Sequence, residues 1–385
     1  MNKRQTDLFF STFLKIYPFE GKVLLLYQGR REKMVPLVPR STSPTIVTHR
    51  FMEQIDASPP VYQNLAAAAG GGGSAIEVSF VAFPLTDNYR PSHFLCGRNS
   101  GVLSLYSIAE TEQPDVVSFA VSSQMKFGTG INDVCFSGDG LRIALSLDDG
   151  SIRLIDSLSF REVDALEATI EGPSTCVCFS PQSNLLVAGT YGGAIHSFDA
   201  RPPRQLIRKL SPAHGCPVSS VSFHPDGTVF VSTGLDGLAR VWDSIGSCLC
   251  TVIGSQDRGL GSGIFSPNGR YALLGALDDG ALNLWDLAHS GRLKRVRKYP
   301  RMNSRYWMRA GFTDTGDVVG GSEDGHLMAW DASTATVLAE FDCKSSKGVT
   351  VPLACATSKS FVAYGGIGSA NPYLLNLRTV ISSGS

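Results

Sequence analysis

Along much of the chain, apolar residues alternate with small or polar ones over runs of five or six positions, and each run ends in a turn rich in Gly, Pro, Asp or Asn. Alternation with a period of two marks half-buried β-strands, and runs this short predict strands joined by tight hairpins. The pattern also recurs. It reads Phe-Ser/His-Pro-x-Gly, an apolar run, Asp-Gly, then an alternating strand ending in Trp-Asp or a variant of it. The clearest copies begin at Phe223 (FHPDG, LDG, LARVWD) and Phe265 (FSPNG, LDDG, ALNLWD), with weaker ones at Phe136, Phe179 and Phe312. Successive starts lie 43, 44, 42 and 47 residues apart, a period that belongs to four-stranded blades set in a ring.

In the best copy, Val218 to Phe223, Thr228 to Thr233 and Leu238 to Trp242 are predicted strands, separated by Pro225-Asp226-Gly227 and Asp236-Gly237. Gly after Asp supplies the positive φ that a tight hairpin needs. The same template fits weaker segments from Val78 upstream and from Pro352 downstream. The predicted fold is therefore all-β, a seven-bladed β-propeller with blades beginning near residues 76, 131, 174, 218, 260, 307 and 350. The last blade runs out of chain near Arg378, before a fourth strand forms, and an unpaired sheet edge invites aggregation. Closure is assigned to an N-terminal strand, either Val61 to Leu65 or Thr45 to Phe51. The expected organisation is an irregular arm over 1–60, a closure-strand candidate and Ala/Gly linker over 61–75, the propeller over 76–378 and a short tail over 379–385. Within the arm, Lys22 to Gln28 and Met34 to Val38 read as strands.

Composition narrows the class. The 34 basic and 34 acidic residues cancel, so no global field favours nucleic acid or membrane. The sequence shows no long uncharged apolar run and no signal-like N-terminus, which predicts an intracellular chain without a membrane partner. Nine scattered cysteines fit a reducing compartment. Cys176/Cys178 and Cys248/Cys250 are spaced as same-face strand residues rather than as zinc ligands, so no metal and no cofactor are expected. No phosphate loop, metalloprotease helix or nucleophile elbow appears, and the chain is not expected to be an enzyme or to take a small-molecule substrate. His214, Ser232, Asp236 and Trp242 could be mistaken for a catalytic set. A buried imidazole, hydroxyl, carboxylate and indole that satisfy one another serve equally as a blade's internal fastening, and that is the reading adopted. The one concentrated charge feature is basic, Arg292, Lys294, Arg295, Arg297, Lys298, Arg301 and Arg305, with Tyr299, Tyr306 and Trp307 close by. It suits a solvated outer strand, and also an acidic partner, a nuclear import signal or RNA.

The segments GINDVCFSGDG, CFSPQSNLLVAGTY, AHGCPVSSVSFHPDGTVFVSTGLDGLARVWD, FSPNGRYALLGALDDGALNLWD and GFTDTGDVVGGSEDGHLMAW resemble, in order, blades two to six of a WD-repeat protein, the core subunit of histone lysine methyltransferase (Set1/MLL-type) complexes. In that family, His214, Ser232, Asp236 and Trp242 occupy the positions of a hydrogen-bonded tetrad. The resemblance implies a non-catalytic nuclear scaffold whose partners are methyltransferase-complex subunits or a histone tail. It implies a central cavity for an arginine side chain, where Gly130, Asn132, Asp133, Asp148, Ser219 and Tyr306 stand at the matching positions, Asn132 in place of a serine. The two positions expected to clamp the arginine between rings hold Thr175 and Arg309 instead, and an Arg309 cation would repel a second guanidinium. It implies also a groove on the opposite face, between the fifth and sixth blades, for a short acidic and apolar peptide, with Asn268, Tyr271, Leu284 and Phe312 matching and Asp314 at an apolar position. Two other functions fit parts of the sequence: an RNA-processing subunit using the basic stretch, and a cullin-type ubiquitin-ligase substrate receptor, because Phe198-Asp199-Ala200-Arg201 resembles an Asp-x-Arg adaptor motif. The nucleus is the expected location, with the cytoplasm as the alternative.

Overall fold

The computed structural model describes residues 15–19, 22–26, 78–84, 93–109, 118–166, 172–255, 259–277, 281–287, 294–299, 308–313, 315–344, 349, 351–358, 361–369 and 371–376. A separate hairpin pairs β1 (Lys15–Phe19) with β2 (Lys22–Leu26), so part of the expected Lys22 to Gln28 strand forms. Met34 to Val38 and both closure candidates, Val61 to Leu65 and Thr45 to Phe51, lie outside the described residues.

The seven blades follow in chain order. Blade 1 is β3 (Val78–Ala82), β4 (His93–Arg98), β5 (Val102–Ala109) and β6 (Ser118–Lys126); blade 2 is β7 (Ile131–Phe136), β8 (Arg142–Leu147), β9 (Ile152–Asp156) and β10 (Arg161–Leu166). Blade 3 is β11 (Ser174–Phe179), β12 (Leu185–Thr190), β13 (Ile195–Asp199) and β14 (Leu206–Leu210); blade 4 is β15 (Val218–Phe223), β16 (Val229–Gly234), β17 (Leu238–Asp243) and β18 (Cys248–Ile253). Blade 5 is β19 (Leu260–Phe265), β20 (Tyr271–Ala276), β21 (Ala281–Asp286) and β22 (Lys294–Tyr299); blade 6 is β23 (Ala310–Phe312), β24 (Val318–Gly321), β25 (His326–Trp330) and β26 (Val337–Asp342). Blade 7 has three strands among the described residues, β27 (Val351–Thr357), β28 (Phe361–Ile367) and β29 (Tyr373–Asn376). Each sheet is an antiparallel meander in sequence order, and the first strands stand side by side around the centre.

Apolar residues of each blade are buried against the next. Leu145 and Ile155 of blade 2 meet Leu95 and Leu103 of blade 1, Phe198 of blade 3 meets Leu154 of blade 2, and Trp330 of blade 6 meets Leu282 of blade 5. The ring closes in the same way, with Val78, Phe94 and Tyr106 of blade 1 packed on Ala354, Phe361 and Ala363 of blade 7.

The innermost strand of a blade carries a recurring irregularity. In six blades the register slips near the start of this strand, after the first paired residue in five of them and after the second in blade 7, leaving Ser79, Asn132, Thr175, Ser219, Gly261 and Leu353 as the extra, bulged positions. A bulge re-aims a side chain that regular alternation would place elsewhere. Three of these side chains reach the carbonyl of the first inner-strand residue of the following blade. Ser79 Oγ donates to Ile131 O at 2.7 Å, Asn132 Nδ2 to Ser174 O at 2.9 Å, and Thr175 Oγ1 to Val218 O at 2.6 Å. Farther round, Ser220 Oγ donates to Gly263 O at 3.3 Å and Thr357 Oγ1 to Phe312 O at 2.5 Å.

Blade 4 holds the polar chain expected from its residues. Trp242 Nε1 donates to Ser232 Oγ at 2.8 Å, Ser232 and His214 Nε2 are 2.7 Å apart, and His214 Nδ1 is 2.9 Å from Asp236 Oδ1. With Nδ1–H given to the carboxylate, Nε2 accepts the Ser232 hydroxyl and each buried group is satisfied. In blade 5 the position of Ser232 in the register is taken by Leu274, and the Trp285 indole N–H has no acceptor among the described residues. Asp279 lies outside the described residues.

All nine cysteines are free thiols, and burial pushes Cys96 and Cys176 up to about 12.

Two outcomes follow for blade 4. Ser232→Ala deletes the joint between indole and imidazole, with an expected cost of about 1–3 kcal/mol, read from the urea midpoint. The second concerns pH. Burial lowers the His214 pKa below its ordinary 6.5 despite the Asp236 contact. Burial opposes ionisation of Asp236, but its bonds to His214 and the Arg240 charge prevail and hold it below its ordinary 3.8. Both groups bind protons better unfolded than folded, so stability falls as pH drops below about 6.5 and falls again below about 4. Thermal midpoints across pH 8 to 4 should show the first loss, and His214→Asn should flatten it.

Candidate functional site

The turn from β19 to β20, Ser266 to Arg270, stands opposite the turn from β23 to β24. Between them a cavity of about 390 Å³ is walled by Tyr271, Leu284 and Phe312 and rimmed by Asn268, Thr315 and Ser333. The four residues singled out in the sequence as groove candidates, Asn268, Tyr271, Leu284 and Phe312, thus meet around one opening. Asp314 lies outside the described residues.

Local chemistry shapes the walls. Ser266 Oγ accepts from Tyr271 N at 2.9 Å, and Asn268 Oδ1 accepts from Ser266 Oγ at 2.7 Å and from Arg270 N at 3.0 Å. The Asn268 carbonyl is consumed by its own turn, an Asx-type arrangement, while the residue is exposed and its amide NH₂ has no acceptor among the described residues. Gly269 (φ 70°) makes the turn possible: a Cβ there would meet the His224 ring at 2.2 Å, and its carbonyl accepts from His224 Nε2 at 2.9 Å. That bond ties the groove wall to blade 4.

Arg270 lies over the Tyr271 ring, 5.2 Å from its centre, and its Nη2 is 3.4 Å from Asp286. Leu284 is 3% exposed and packs with Trp330 and Val318 at the blade 5–6 interface. Tyr271 and Phe312 are half-buried on that cluster. On the blade 6 side, Thr313 Oγ1 accepts from Asp317 N at 3.0 Å, and Asp331 caps Ser333 and Thr334. The site is an apolar slot with polar lips, the form that receives an extended segment with a large apolar side chain.

Residues assigned to the central cavity are mostly engaged with the fold. Asn132 Nδ2 donates to Asp148 Oδ1 at 2.8 Å as well as to Ser174 O. Gly130 has no room for a side chain, since a Cβ would stand 2.5 Å from the Asp148 carboxylate. Ser219 Oγ pairs with Thr233 Oγ1 at 2.8 Å. Thr175 bonds Val218 O. Asp133 is 2% exposed and its carboxylate is met by Arg309 at 3.1 Å. Burial raises the Asp133 pKa, against the opposing pull of the Arg309 charge and of the Val177 and Val134 amides. Tyr306 and Trp307 lie outside the described residues.

The basic stretch contributes β22, the outer strand of blade 5, where Arg297 pairs with Leu284 and Lys298 with Asn283 in the register. Arg292, Arg301 and Arg305 lie outside the described residues. Arg201 folds back on Asp199 in a two-point ion pair, with Nη2 to Oδ2 at 2.8 Å and Nε to Oδ1 at 2.9 Å, and the Arg201 side chain is 68% exposed. Among the described residues no cluster of three or more His, Cys, Asp or Glu is placed to hold a metal ion.

Sequence reading missed three neighbours. Phe80 beneath Arg309 lies in a first strand without repeat residues, and Thr315 and Ser333 at the groove rim are polar turn residues with no motif.

A ring of seven antiparallel meanders, six of them four-stranded and the seventh with three strands among the described residues, with Trp-Asp strand ends in blades 4, 5 and 6, defines a class. The WD domain, G-beta repeat, family model matches residues 122–156, 165–199 and 204–243. The chain is a WD-repeat β-propeller. Each matched repeat begins in or just before the outer strand of one blade and runs through the three inner strands of the next, so each of the three covalently joins two neighbours. Within the class, the chain is similar to COMPASS component SWD3 of Saccharomyces cerevisiae, 28% identical over 230 residues, which is 55% of this chain and 70% of that protein. It is 31% identical to the Serine-threonine kinase receptor-associated protein of Gallus gallus over 210 residues, 54% of each chain. It is 30% identical to Nuclear distribution protein PAC1 of Ajellomyces capsulatus over 171 residues, 44% of this chain and 32% of that one. The chain thus spans about half of the second relative and about a third of the last.

Leu284 belongs to the core as much as to the groove. Leu284→Ala is expected to cost about 2–5 kcal/mol in urea unfolding, whereas Thr315→Ala at the exposed rim should stay within about 0.5 kcal/mol.

Proposed function

We propose that this chain is a non-catalytic scaffold that docks short segments of partner proteins, and that the slot between blades 5 and 6 is a docking site. The observation that carries the reading is the cavity itself. An opening of about 390 Å³ with Tyr271, Leu284 and Phe312 as walls accommodates one or two apolar side chains. The exposed Asn268 amide stands at its rim to meet a backbone carbonyl, and the Arg270 cation, 51% exposed, lies over the Tyr271 ring, where it can meet a carboxylate. Rigid turns on both sides lower the entropic cost of capture.

The assembly we propose is a nuclear histone methyltransferase complex, of which this chain is a structural subunit. The resemblance of blades two to six supports it, as does the similarity to a COMPASS component. Affinity purification of the tagged chain followed by mass spectrometry is the test. Recovery of a methyltransferase and its companion subunits is expected. Recovery instead of a cullin adaptor, or of RNA-processing factors lost on nuclease treatment, would replace this assignment.

The groove is tested separately. Thr315→Arg places a long cation in the slot from an exposed position. It should leave the thermal midpoint within about 2 °C while depleting a partner recovered by the native chain. Tyr271→Ala should deplete the same partner at a cost of about 1–2 kcal/mol, since the ring is half-buried. Undiminished recovery with both variants would remove the groove from the proposal.

A further inference from the structure

From Leu287 to Thr313 the chain carries eight basic residues and no acidic one, which leaves 26 basic against 34 acidic residues everywhere else. The balanced net charge thus hides a local excess. Arg309, the last of the eight, is spent on Asp133. Four of the others, Lys294, Arg295, Arg297 and Lys298, lie in β22, the outermost strand of blade 5, whose far edge has no partner strand among the described residues.

Arg295 stands opposite Trp285 and Arg297 opposite Leu284, so Val296, the one uncharged residue before Tyr299, is the bulged position. Every paired position from Lys294 to Lys298 is therefore a cation. Lys294 and Arg297 share the face of Asp286 and Leu284, while Arg295 and Lys298 share that of Trp285 and Asn283. Cations on one face lie two register steps, about 7 Å, apart. Of the β21 residues opposite the four, only Asp286 is acidic, and it is buried and already met by Arg270 at 3.4 Å. Other outer strands differ. In β10, Glu162 pairs with Arg153 at 3.0 Å and Asp164 with Arg204 at 2.8 Å, and β18 holds no charged residue.

A row of cations on both faces of one strand draws a polyanion. A bulged edge that carries lysines resists pairing with another strand, which counts against an acidic β-strand as the ligand. Phosphates need no such pairing, and arginine meets them in two-point contacts. Tyr299, at the end of the row, is a residue type on which an unpaired base stacks. We propose that β22 is a binding edge for single-stranded nucleic acid, held through its phosphates by Lys294, Arg295, Arg297 and Lys298 without regard to base sequence. This edge does not depend on docking of protein segments in the blade 5–6 slot.

The test is fluorescence anisotropy with the whole chain and a labelled oligouridine of about 15 nucleotides. Neutralising four phosphates predicts a slope of about −3 for the logarithm of affinity against that of salt, or roughly a 50-fold loss between 50 and 200 mM. Arg295→Gln with Arg297→Gln should weaken binding and bring the slope to about −1.5. Lys126→Glu with Lys209→Glu, at exposed positions of β6 and β14, lowers the net charge further yet should change affinity by less than about twofold. Thermal midpoints within about 2 °C of the native value establish that the variants are folded. Lys294→Gln with Lys298→Gln makes the same prediction if the arginine pair does not purify. Equal loss with the control pair would show only diffuse attraction. Tighter binding of polyglutamate, or of an RNA duplex of the same length, would put a different ligand on the edge. Either result, or no binding at the lower salt, overturns the proposal.

Discussion

The constraint on which this structure depends is that no blade is stable alone. A four-stranded meander has two faces and buries them only against its neighbours, so stability is a property of interfaces around the ring. Val78, Phe94 and Tyr106 packed on Ala354, Phe361 and Ala363 make the seam between the last and first blades like any other interface. Exposure of that surface by an open seam would cost about 25 cal/mol for each Å² of apolar area. The sequence repeat adds covalent coupling, because it begins in or just before the outer strand of one blade and ends in the next.

Hydrogen bonds along the inner strands refine this packing. The bulge at Ser79, Asn132 and Thr175 turns a polar side chain out of the alternation and onto the next blade's first carbonyl. A carbonyl left without a donor in so dry a place would cost about as much as a lost hydrogen bond. Thr175 is therefore explained by its neighbour in blade 4, and an aromatic ring at that position would forfeit the bond.

The blade count and the order of strands were legible in the sequence because turn residues and alternation are local signals. The strand Val218–Phe223 has the predicted ends, and blade 6 begins at Ala310 rather than near 307, because no turn residue marks its start. That Asn268, Tyr271, Leu284 and Phe312 would lie together was legible through resemblance, since each sits at a repeat-specific place in blades 5 and 6 and all four line one cavity. The engagement of Arg309 was not. Its partners Asp133 and Phe80 lie in other blades, and only closure of the ring brings them together. Bulges defeat alternation in the same way, since nothing in Ser79 or Asn132 alone announces a slip in register.

Groove and channel lie at opposite ends of one very short strand. β23 is three residues long, with Arg309 before it and Phe312 at its end. At the channel end it is held through Arg309 by blades 1 and 2, and at the groove end Thr357 of blade 7 donates to Phe312 O. Pairing with β24 over Ala310, Gly311 and Phe312 holds its length. A strand fixed at both ends and along one edge has little freedom to swing, so Phe312 presents the same wall whether or not a segment lies against it. A segment docking in the slot as proposed would then have to order itself alone, and the Arg309 contacts at the other end of β23 also contribute to the rigidity of the groove.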